Sequence, residues 1–151
     1  MLEGRRQVGV KATELLEDST SEMLMMLSDE NLLWLYNSPF FDDLEKKVSK
    51  KGLNVQLITN FSPTSTYVLE EVSLGKGDFT YKELDEAPCF IISDNGQMLL
   101  LMRRGEEKEG KPYAMWTNYW TLVNSYRLLF NLLWKEPDEE ALKIAGIPQV
   151  S

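Results

Sequence analysis

Apolar and polar positions divide the chain into segments of two periods. Over 2–18, Val8, Ala12, Leu15 and Leu16 recur at i, i+4, i+7 and i+8, which predicts a helix with one buried face. Gly4 and Gly9 weaken its first turns, by up to about 1 kcal/mol each relative to alanine, so the helix is expected to begin as a linker. EMLMML at 22–27 holds an unbroken apolar run, as a strand covered on both faces does, and a central parallel strand fits it best. DENLLWLY and PFFDDLEKKVSKKG predict helices, with a strand the alternative for LLWLY at 32–36 on composition. In the second, Phe40, Phe41, Leu44 and Val48 share a face, Pro39 suits the first turn and Gly52 supplies a left-handed stop. LNVQLIT at 53–59 is a second strand, joined to the first by a right-handed parallel crossover.

FSPTST at 61–66 reads as a loop and YVLEEV after it as one or two helical turns. DFTYKEL at 78–84 alternates like a half-exposed strand. CFIIS and QMLLLM then flank Asn95-Gly96, a strong hairpin signal because a two-residue turn needs positive φ at both positions. GEEKEGK at 105–111 is a polar loop, PYAMWT a last, short edge strand, and Thr117 or Asn118 is placed to cap a helix. In that helix Tyr119, Leu122, Val123, Tyr126, Leu129, Phe130, Leu133 and Trp134 form one apolar face, while Trp120, Leu128 and Leu132 extend the apolar surface beyond it. A helix apolar on more than one side needs more than one cover. Trp120, Leu128 and Leu132 are therefore expected to form a homodimer interface. DEEALKIAG at 138–146 predicts a short acidic helix.

These elements predict an α/β fold: a mixed, mostly parallel sheet with a β-hairpin and helices on both faces. The expected organisation is a linker-like N-terminal helix over 1–20 packing on the domain, the domain itself over 21–136, and a short C-terminal helix and tail over 137–151.

Composition narrows the function. With 151 residues, 43% of them apolar, the chain is long enough for one well-buried domain. Sixteen basic against twenty-four acidic side chains give a net charge of -8, which repels a phosphate backbone, so no direct nucleic-acid contact is expected. The lone cysteine, Cys89, permits no internal disulfide, and no apolar run approaches the roughly 20 residues of a membrane span. A cytoplasmic protein with no membrane contact is expected. There is no histidine at all.

The order of elements resembles one half of the phospholipase D fold. More narrowly, it is similar to the effector domains of archaeal TrmB-type transcriptional regulators and related signalling sensors. The likeness runs from about residue 5 to 135 and rests on KKGLNVQLIT, FIISDNGQMLLL and AMWTNYWTLVNSYRLLFNLLW. Active members of that superfamily carry His-x-Lys-x4-Asp on the strand before the hairpin. Laid on APCFIISD, the histidine position falls on Ala87, the lysine position on Cys89 and the aspartate on Asp94, while the downstream Gly-Ser-x-x-Asn element is matched loosely by Thr117 and Asn118. Without histidine no phosphohistidine can form, so phosphodiester chemistry of this type is excluded and no catalytic residue, metal or cofactor is expected.

The resemblance implies a non-catalytic domain for ligand sensing and dimerisation in a signalling or transcription-regulatory protein, with the output module outside this chain. A relic pocket would be lined by Cys89, Asp94, Arg103, Thr117 and Asn118 and would take a sugar or an anion. Each residue also has a plainer role open to it: Cys89 as core packing, Asp94 as a turn opener, Arg103 and Arg104 as solvated charges, Thr117 and Asn118 as helix caps. Trp34, Trp116 and Trp120 are either a stacking surface or packing. A pure protein-interaction module without a ligand is the competing expectation.

Overall fold

The computed structural model describes residues 1–72, 78–84, 87–102 and 113–135. In chain order the elements are β1 (Leu2–Glu3), α1 (Gly4–Asp18), β2 (Glu22–Met26), α2 (Asp29–Tyr36), α3 (Phe40–Lys51), β3 (Asn54–Thr59), α4 (Pro63–Glu71), β4 (Asp78–Tyr81), β5 (Cys89–Ser93), β6 (Met98–Met102), β7 (Tyr113–Thr117) and α5 (Trp120–Lys135). The loop expected at 105–111, the helix expected at 138–146, and Arg103 and Arg104 lie outside the described residues.

The strands form one mixed seven-stranded sheet in the order β1-β7-β6-β5-β2-β3-β4. The apolar run that predicted a central strand is β2, paired parallel to β3 and antiparallel to β5. Strand alternation sorts the core into two. Met23, Met25, Val55, Leu57, Ile91, Leu99 and Ala114 pack with Val8, Ala12, Leu15 and Leu16 of α1 and with the buried faces of α2, α3 and α4. On the other face Leu24, Met26, Ile58, Phe90, Ile92 and Met98 pack with Val123 and Phe130 of α5. The mixed α/β sheet with a hairpin and helices on both faces is thus present.

Its balance of directions differs from expectation. Among the described strands β2–β3 and β3–β4 are parallel, whereas β2–β5, β5–β6, β6–β7 and β1–β7 are antiparallel. Short connections such as the one between β5 and β6 permit only antiparallel neighbours, so the meander outnumbers the crossovers. Nor is β7 an edge strand. Leu2 and Glu3 pair with Ala114 and Tyr113, and Gly4 at φ 87 turns the chain from that strand into α1.

Two local readings also change. α4 starts at Pro63, inside the stretch read as loop, because Ser62 accepts from the Ser65 amide and Ser65 Oγ accepts from the Ser62 amide, with proline at the first turn. The hairpin turn has three residues rather than two: Ser93 N–H donates to Gln97 C=O, Gly96 N–H donates to Ser93 C=O, and Gly96 sits at φ 85. That is the three-residue turn closed by a left-handed glycine. It leaves Asp94 in the loop, with its side chain available.

Candidate functional site

Asp94 uses that availability fully. Its carboxylate reaches back to the junction of α1 and β2, where Oδ1 accepts from the Thr20 amide (3.1 Å) and Oδ2 from the amides of Ser21 (2.6 Å) and Glu22 (3.2 Å). The hydroxyls of Thr20 (3.0 Å) and Ser21 (2.7 Å) donate to Oδ2 as well. Burial disfavours the charged carboxyl, but the hydrogen bonds from Ser21 and Thr20 outweigh it and hold Asp94 well below the usual carboxylate range. A carboxylate so supplied with donors is a structural staple with little acceptor capacity left for a ligand or metal. It ties the hairpin turn to a loop more than seventy residues earlier.

Other polar side chains gather around the same end of the sheet. Ser19 Oγ and Ser93 Oγ lie 2.8 Å apart, both buried. Arg127 of α5 reaches Glu22 Oε1 and the Ser93 carbonyl at 3.5 Å each. Gln97 donates to Asp18 (3.0 Å) and accepts from Trp116 Nε1 (2.9 Å), and Lys11 sits 4.7 Å over the Trp116 ring. Lys47 donates to the carbonyls of Leu16, Glu17 and Ser19, closing the C-terminus of α1. The sequence reading did not single out Arg127 or Lys47. Arg127 was findable: it stands four residues after Val123 on the sheet-facing side of an apolar helix, where a charge needs a partner.

The residues expected to line one pocket do not converge. Asp94 follows the last residue of β5, and Thr117, paired with Met98, ends β7 on the same side of the sheet. Cys89 begins β5 and is half-buried at the opposite end, four residue steps or roughly 13 Å from Ser93. Thr117 Oγ1 accepts the Tyr119 amide (3.1 Å), and Asn118 is exposed. Arg103 lies outside the described residues. The three tryptophans do not form one surface either. Trp34 and Trp116 pack against the core under α1–α4, and Trp120 opens α5 on the other face.

Apolar surface remains on the outer side of α5. Trp120, Leu128 and Leu132 are 67%, 61% and 64% exposed, while Val123 and Phe130 on the inner side are buried. At 100° per residue the three fall within an arc of about 120°. Among the described residues no helix is long and apolar enough to cross a membrane.

No protein-family model matches the chain, and no curated protein is significantly similar in sequence. Solved structures are similar in fold. TrmBL2, an archaeal chromatin protein whose structure shows a novel mode of DNA binding, superposes with a TM-score of 0.68 at 16% identity, over 91% of this chain and 52% of its own. Nuc from Salmonella typhimurium, a phospholipase D family member, superposes with a TM-score of 0.58 at 12% identity, over 85% of this chain and 88% of its own. At these identities the likeness is one of fold, and the chain spans about half the length of TrmBL2. It also corrects one expectation. Net charge of -8 was read as excluding direct nucleic-acid contact, yet a protein sharing the fold over nearly the whole chain binds DNA. Net charge governs long-range attraction, and a local surface can oppose it within a screening length of about 10 Å.

Proposed function

We propose that this is a non-catalytic regulatory domain that senses a small molecule and self-associates through the outer side of α5, passing occupancy to an output module outside these 151 residues. The observation that carries this reading is the exposed row Trp120, Leu128 and Leu132 on a helix whose inner side is core. The absence of histidine supports the non-catalytic half, since the superfamily nucleophile has no counterpart here.

The magnitudes favour a reversible pair. Full burial of such a side chain contributes about 1.5–3 kcal/mol. With roughly two thirds of each exposed, six across a two-fold interface offer about 6–12 kcal/mol. Association opposes this with about 4–15 kcal/mol of lost freedom. A dimer in exchange with monomer is the expected outcome, which suits a switch because small differential affinities for a ligand shift such a balance.

Sedimentation equilibrium tests it. The wild type should dimerise at tens of micromolar, and the double variant Leu128→Glu, Leu132→Glu should be monomeric with its circular dichroism unchanged. A wild-type monomer throughout that range would sink the reading.

Direct DNA contact is a second reading, favoured by the superposition on TrmBL2. Among the described residues a basic surface lies at the end of α3, where Lys46, Lys50 and Lys51 are exposed at i, i+4 and i+5. It predicts duplex binding that weakens steeply with salt and is reduced by Lys50→Ala, Lys51→Ala. Salt-independent or absent binding rejects it.

A further inference from the structure

The end of the sheet where β2, β3 and β4 finish, and where β5 begins at Cys89, holds a second arrangement. Helices α2 and α4 both start there, and their first turns differ. α2 carries Asp29 and Glu30 in its first turn, and its Asp29 amide already donates to Asn60 Oδ1 at 2.9 Å. α4 carries no acid in its first turn; it presents Ser62, Thr64, Ser65 and Thr66. The positive end of α2 is therefore neutralised, whereas that of α4 faces only hydroxyls.

Thr59, the last residue of β3, is fully buried, and its Oγ1 has no hydrogen-bond partner. Alternation along β3 turns Thr59 to the same side as Val55 and Leu57, beneath the helix layer, at the end where α4 starts. An unsatisfied buried hydroxyl costs about 1–3 kcal/mol, so it calls for a partner. Tyr81 is the register partner of Thr59 and shares that face. It is buried there, and its ring meets Phe61 at 5.1 Å and Phe79 at 5.4 Å, both edge-on. Phe61 and Phe79 remain 38% and 43% exposed.

A helix N-terminus without a carboxylate, a buried hydroxyl without a partner and a half-exposed aromatic pair thus share one end of the sheet. The first two suit an anionic oxygen group, and the third suits a flat ring beside it. We propose that the N-terminus of α4, with Thr59, Phe61 and Phe79, binds a ring-bearing phosphate monoester of the nucleoside monophosphate class. This inference rests on the sensing half of the functional reading and assigns it a place.

Amide chemical-shift mapping with AMP and with inorganic phosphate tests it. AMP should shift the amides of Phe61 and of Thr64 to Thr66, and should bind at least tenfold more tightly than inorganic phosphate. Thr59→Val should weaken AMP at least tenfold while leaving the melting temperature equal or higher, since the hydroxyl it removes has no partner in the free protein. Phe79→Ala should weaken AMP but not inorganic phosphate. Shifts centred elsewhere, no AMP shift at millimolar concentration, unchanged AMP affinity in Thr59→Val, or a lower melting temperature in that variant each overturn the assignment. A thermal-shift panel of sugars, nucleotides and small anions separates the two failures. A hit that does not map to α4 removes this site and leaves sensing in place, whereas no hit at all removes sensing.

Discussion

The two faces of the sheet are covered in unlike ways. On one, α1 to α4 form a continuous layer, and their apolar residues at helical spacing end in a shared core with Met23, Met25, Val55 and Leu57. On the other, α5 alone among the described helices packs against Leu24, Met26, Ile58 and Phe90, and its outer side carries Trp120, Leu128 and Leu132 beside Thr121 and Asn131. The first face shows what this sequence does when a helix has a polar exterior: Lys46, Lys50 and Lys51 on α3 and Glu14 and Glu17 on α1 are exposed. Against that standard, Trp120, Leu128 and Leu132 are not the ordinary surface of this domain. Scattered exposed apolar residues need no explanation, but a row on one side of one helix does.

The contrast is most sharply tested at its core. Phe90 is fully buried and meets Tyr126 and Phe130 edge-on at 5.2 and 6.4 Å. Phe90→Ala should lower the unfolding free energy by about 3–5 kcal/mol in urea melts; a loss near zero would mean that α5 is not packed on the sheet.

Asp94→Asn should have a middling effect, about 1–2 kcal/mol, because a charged acceptor is lost from a partly exposed site. The sign with pH follows from the depressed carboxyl. Its stabilisation is complete above the unfolded value near 4 and is lost as pH falls through the lower folded value, so the wild type should weaken from about pH 5 downward. The variant should show a shallower acid limb in thermal melts, and an identical limb would show that Asp94 is not the staple.

The smallest expected effect is the one that completes the comparison. In dilute monomer, Leu128→Glu should change stability by no more than about 0.5 kcal/mol. A loss of several would make the outer side of α5 part of the core and erase the difference between the faces.

What the sequence made legible was what depends on near neighbours. Val8, Ala12, Leu15 and Leu16 predicted the buried side of α1, the Met-Leu run predicted the central strand, and Asn95-Gly96 predicted the hairpin, because period and turn chemistry are local. The start of α4 was missed because its capping box uses serine at the third position, where glutamate or glutamine is the usual signal. The partners of Asp94 were out of reach for a different reason. Thr20 and Ser21 are more than seventy residues away, and nothing in Asp-Asn-Gly names them. The same applies to Thr59, whose unpartnered state is a property of the folded packing alone. The superfamily motif aligned Cys89, Asp94 and Thr117 by spacing, whereas the three-residue turn and the strand register set them at two ends of the sheet.

β2 is the one strand common to the parallel and antiparallel parts of the sheet, bonded to β3 on one side and β5 on the other. Local opening can peel either part away, and because the amides of Met23 to Met26 alternate between the two neighbours, each part releases its own alternate set of them. Hydrogen exchange of the two sets therefore reports separately on the opening of the two architectures that β2 joins.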